Sequence, residues 1–80
     1  MEIERTQTGV RMERRILKVL KGLAEYHDLS LGSLLEGIVL HAFEGKAPFT
    51  SPESISRIEA LKKVYGLDLS AADSHNLEER

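Results

Sequence analysis

Apolar positions along this chain keep two different periods. Over residues 6–12 they alternate, with Thr6, Thr8, Val10 and Met12 on one side and Arg5, Gln7, Gly9 and Arg11 on the other. Period two with β-branched residues predicts a short strand with one covered face, a prediction that Gly9 weakens. From Glu13 the period lengthens. Ile16, Leu17, Val19, Leu20, Leu23 and Ala24 form one broad helical stripe, opposite Arg14, Arg15, Lys18 and Lys21. This helix is expected to stop near His27-Asp28, because Ser30 has the character of a new N-cap. A second helix follows over about Leu31 to Glu44, with Leu34, Leu35, Ile38, Val39, Ala42 and Phe43 on its apolar side. Gly45 is placed to end it and Pro48 follows. Gly37 stands in mid-helix, where glycine costs roughly 1 kcal/mol relative to alanine, and a close helix crossing there is the expected reason.

Residues 45–51, GKAPFTS, read as a linker. Ser51 then caps a third helix, with Pro52 at its first position and Glu53 in its first turn. Ile55, Ile58, Leu61 and Val64 make its stripe, and Gly66 ends it with Leu67 folding back onto Leu61. Ser70 and Asp73 have capping-box spacing for a short fourth helix, whereas SHNLEER reads as too polar to stay ordered unaided.

A lone strand is an edge on both sides and leaves its backbone polar groups unpaired. The stripes of the first two helices are also wide for a protomer of about 45 residues, a size that rarely supports a core alone. Both difficulties disappear if two copies associate. The expected fold is therefore mainly α with one short N-terminal strand, in an obligate homodimer. Two strands pair antiparallel across the dimer axis, four helices close over the ribbon, and an extra C-terminal helix follows. The dimer core is expected from Val10, Met12, Ile16 and Leu20, then Leu23, Leu34, Leu35, Ile38 and Val39. Residues 1–44 would form the dimerisation and binding domain, and 45–80 a linker, accessory helix and polar tail.

Composition narrows the class. Eighty residues with 30% charged and 41% apolar content suit one small globular domain. Cysteine is absent, which excludes disulfides, thiolate metal sites and cysteine nucleophiles. Ile38-Val39-Leu40 is the longest apolar run, too short to cross a bilayer, and MEIERTQTGV contains no secretory signal. No membrane partner and a cytoplasmic location are the expectation. Charge is uneven: residues 1–22 carry six Lys/Arg against three Asp/Glu, a balance of +3, and residues 23–80 carry five against ten, a balance of −5. A basic end on an acidic body suits an anionic partner approached from one side.

The stretch from Thr8-Gly-Val-Arg-Met12 through Ile16-Leu17, Leu20 and Leu23-Ala24 to Asp28-Leu-Ser30 and Leu34-Leu35 resembles the ribbon-helix-helix repressors, the class of Arc and the methionine repressor. The resemblance covers residues 5–44. It implies a sequence-specific DNA-binding transcriptional regulator, a repressor, whose paired strands enter the major groove of double-stranded DNA. Its outward positions here are Gln7, Gly9 and Arg11. Arginine pairs with guanine O6 and N7, and glutamine with adenine N6 and N7; Gly9 departs from the pattern, since a base-reading side chain usually stands there. The resemblance also implies phosphate contacts at the start of the second helix, from Ser30, Leu31, Gly32 and Ser33. Arg5, Arg14, Arg15 and Lys18, with Lys21 beside them, would flank the groove. Asp28 stands where the class prefers glycine, and its charge opposes a nearby phosphate. Two dimers side by side on one operator are compatible with this scheme.

Rival chemistry has less support. His27, His41 and His75 have no ligand spacing among themselves, so no metal or other cofactor is expected. No glycine-rich phosphate loop, nucleophile elbow or paired-carboxylate motif points to an enzyme. The alternative reading is an antitoxin-like or adaptor module that binds a protein partner through residues 46–80, with DNA binding secondary or lost.

Overall fold

The computed structural model describes residues 1–78. Glu79 and Arg80, the end of the polar tail, lie outside the described residues. Three helices follow one another: α1 over Arg14–Tyr26, α2 over Leu31–Phe43 and α3 over Pro52–Tyr65, with a single 3₁₀ turn at Ala71–Asp73.

Local chemistry explains each boundary. Glu13 caps α1, its carboxylate accepting from the Arg15 N–H at 2.7 Å and the Ile16 N–H at 3.0 Å. Ser30 Oγ accepts from the Ser33 N–H, and Ser51 Oγ from the Ser54 N–H, each at 3.1 Å. All three helices end in the same left-handed turn. Asp28, Gly45 and Gly66 take φ of +58°, +69° and +64°. The next amides, Leu29, Lys46 and Leu67, donate back to the carbonyls of Ala24, His41 and Lys62 at 2.9, 2.9 and 2.8 Å, the Schellman pattern. Asp28 holds the left-handed conformation without the freedom glycine has there. Past α3, the Ser70 N–H donates to Asp73 Oδ2 at 2.8 Å, and the helix expected there is only the short 3₁₀ turn.

The core joins all three helices. Leu23, Ala24 and Leu34 are buried, with Leu20, Ile38, Phe49, Ile58 and Leu61 packed around them. Phe49, Ile58 and Leu61 come from the linker and α3, so the protomer draws on its own C-terminal third to cover the α1 stripe. Among the glycines, Gly22 is the one that lets another helix pack close. A Cβ there would stand 2.8 Å from Leu61 Cδ2, whereas one at Gly37 would meet nothing within 4 Å. The crossing expected at Gly37 is thus found at Gly22, against α3.

Residues 1–13 differ from expectation. Among the described residues there is no β-strand, so the N-terminal strand and the intermolecular two-stranded ribbon built on it are corrected to an irregular arm on a three-helix protomer. The physical reason is that alternation makes a strand only when a second strand takes its N–H and C=O groups. Here the arm lies beside α2, whose backbone groups beyond its first turn are spent within the helix. Arg5 anchors it, with Nε and Nη2 donating to the two carboxylate oxygens of Glu36 at 3.1 Å each.

The residues expected to make a dimer core divide accordingly. Leu23 and Leu34 are buried, and Ile16, Leu20, Leu35 and Ile38 are half-buried within the single chain, while Val10, Met12 and Val39 stand exposed. No helix among the described residues is long and apolar enough to cross a membrane.

Candidate nucleic-acid interface

The arm and the start of α2 face each other across an open groove of about 900 Å³. Gln7, Gly9 and Arg5 line it from the arm, Lys21 from α1, and Ser30, Leu31, Gly32 and Ser33 from the first turn of α2. Its apolar floor includes Val10, Leu17, Leu35 and Val39. Residues from three separate stretches of sequence are brought together here because the Asp28–Ser30 turn folds α2 back against α1. The N-terminal amides of a helix lack intrahelical acceptors and sit at the positive end of its dipole. Ser30 Oγ satisfies the Ser33 N–H, so the Leu31 and Gly32 amides are the ones left to face an anion.

Other candidate residues lie elsewhere. Arg11 and Arg14 are exposed but do not line the groove. Arg15 is turned towards α3: its Nε donates to Glu13 at 2.7 Å, and its Nη1 to the Gly66 carbonyl at 3.1 Å and to Asp68 at 2.9 Å. Lys18 Nζ sits 5.6 Å from the centre of the Tyr65 ring. Arg5, though in the groove, is held by Glu36.

These pairs tune the carboxylates. The Arg15 hydrogen bond, helped by the Ile16 and Arg15 amides and opposed by burial, holds Glu13 below its ordinary value of 4.5. Arg5 lowers Glu36 in the same way, and both arginines are raised in return.

Sequence reading missed three partners: Glu36, Asp68 and Tyr65. Glu36 had a weak signal, as the sole acidic residue within α2. Asp68 and Tyr65 had none, because they meet α1 only across more than 45 residues of chain.

The histidines are placed apart. His41 Nδ1 lies 2.7 Å from the Gly37 carbonyl. His27 ends α1 with its ring stacked 6.4 Å from that of Phe49, and its buried Nε2 meets no hydrogen-bond partner among the described residues. Among the described residues no three metal-ligating side chains converge.

No family model matches the chain, and no curated protein or solved structure is significantly similar to it.

Proposed function

We propose that this chain is a DNA-binding transcriptional regulator that works as a self-associated protein, with repression as the role its ribbon-helix-helix resemblance suggests. The observation that carries the reading is the groove, in which Gln7 and Lys21 share one surface with the first turn of α2. An irregular arm carrying glutamine and arginine can follow a DNA groove, as arms beside helical domains do. Gln7 and Arg11 supply base-reading chemistry, and the α2 amides with Lys21 supply phosphate contacts. Contact with bases is thus assigned to the arm, in place of a paired ribbon.

Self-association has its own support. Leu40 and Phe43 are 61% and 80% exposed on α2, and Val10 is 73% exposed on the arm. Leu40 and Phe43, three positions apart, share one face of α2, and apolar side chains grouped on an exposed face suit an interaction surface. A second copy doubles the basic surface offered to a duplex. The docking of α3 into the core favours this reading over an antitoxin-like tail, since such tails are commonly unfolded until they bind.

Selection from random duplex DNA at two salt concentrations tests the proposal. An enriched site whose affinity falls steeply with salt is the expected result. Arg11→Ala should then lose about 1–3 kcal/mol of preference at that site. Failure to enrich any sequence, together with absence of salt-dependent binding to mixed duplexes, would overturn it.

A further inference from the structure

Two basic side chains on α1 point at the C-terminal end of α3 instead of the groove. Arg15 Nη1 bridges the Gly66 carbonyl and Asp68, and Lys18 lies over Tyr65. The Schellman turn at Gly66 makes this possible, since it turns the chain back so that Asp68 meets the first turn of α1. After Gly66 the chain carries Asp68, Asp73, Glu78 and Glu79 against a single Arg80. The segment is anionic, and its first carboxylate takes the Nη1 side of Arg15 at 2.9 Å while Glu13 takes Nε at 2.7 Å, so Asp68 covers the part of the guanidinium that Glu13 leaves open.

We propose that the segment following α3 is an internal competitor for the DNA backbone, with Asp68 holding Arg15 in place of a phosphate. The inference rests on the DNA-binding reading above and goes beyond it, since it adds Arg15, outside the groove, as a further phosphate contact and names what holds it back. The energetics suit a graded device. The side chain of Asp68 is 82% exposed, and ion pairs at such positions are weak. A duplex, with its dense line of phosphates, displaces the carboxylate, while a lone anion does not. Affinity is thereby lowered without being abolished, and its salt dependence is made shallower. Any partner that draws the acidic segment away would strengthen DNA binding.

Asp68→Asn in the full-length chain is the test, read by fluorescence anisotropy on one duplex over a salt series. The expected result is an affinity gain of about two- to five-fold, the scale of one exposed ion pair, with a salt slope steeper by up to about one. In an Arg15→Gln background the same change should be silent, because the competitor then has nothing to hold. Three results overturn the proposal: wild-type binding with no change on Asp68→Asn, an equal gain in the Arg15→Gln background, or no binding by any variant. The first two leave the DNA-binding reading standing. The third removes both.

Discussion

The seam between α1 and α3 and the outer face of α2 are both apolar, yet they are treated in opposite ways. At the seam, Leu23 is 2% exposed and Gly22 admits Leu61 so closely that a Cβ would stand 2.8 Å from its Cδ2. On α2, Leu40 and Phe43 stand in the open and the space over Gly37 is empty. The difference teaches that hydrophobicity alone does not locate a core. What locates it is a second stripe of matching length that the chain can bring into register. For α1 that stripe comes chiefly from α3, delivered by the eight residues 44–51, with Leu34 and Ile38 of α2 completing the cover. The outer face of α2 has no equivalent within the protomer.

Substitutions at the two faces should separate them by several kcal/mol. Leu23→Ala is expected to cost about 2–5 kcal/mol in urea unfolding, through lost burial and the cavity left behind. Phe43→Ala should change protomer stability by no more than about 0.5 kcal/mol, while weakening self-association in sedimentation. Comparable destabilisation from both in dilute protomer would erase the contrast.

A glycine pair sharpens it. Gly37→Ala should stabilise the protomer by about 1 kcal/mol from helix propensity alone. Gly22→Ala has the same intrinsic gain, but must push Leu61 aside, so it should fall short of Gly37→Ala. Equal midpoints in thermal unfolding would show that the close approach at Gly22 carries no energy.

Asp28→Gly tests the turn that sets α2 against α1. It relieves a left-handed aspartate, and the loss of a negative charge near the positive end of α2 offsets part of that relief, so a gain of no more than about 1 kcal/mol is expected. A loss of stability in calorimetry would mean that the Asp28 side chain contributes a contact of its own.

The smallest effect is a pH dependence at the start of α1. Glu13 is held below 4.5 in the folded chain. A carboxyl with a depressed folded pKa stabilises fully above its unfolded value, and that contribution is lost as pH falls through the folded one. Acid unfolding of wild type should therefore steepen below about pH 4.5, and Glu13→Gln should flatten that portion of the curve. Identical profiles would contradict the role of the cap.

How much of this was legible beforehand follows the range of the interactions. The caps at Ser30 and Ser51 and the turns at Gly45 and Gly66 were readable, because each is decided within about five residues. The groove was half readable: Gln7, Gly9 and the Ser30–Ser33 turn were singled out separately, and the fold sets them together. The N-terminal strand was misread, since alternation from Thr6 to Met12 expresses an aptitude for pairing that no segment among the described residues answers. Arg15 and Lys18 were read as a basic face, and only their meeting with Asp68 and Tyr65 gives that face an occupant.

From its own residues the chain determined where helices begin and end, which stripe of each is apolar, and where its charge is concentrated. Those properties follow from backbone capping and a period of 3.6 residues, both local. Tertiary structure alone decided that α3 covers α1, that Gly22 admits Leu61, that the arm forms no strand among the described residues, and that Arg15 faces an acidic segment. Contacts between residues 30 to 50 positions apart depend on which surfaces bury the most area once the loops close, and no local pattern records that competition.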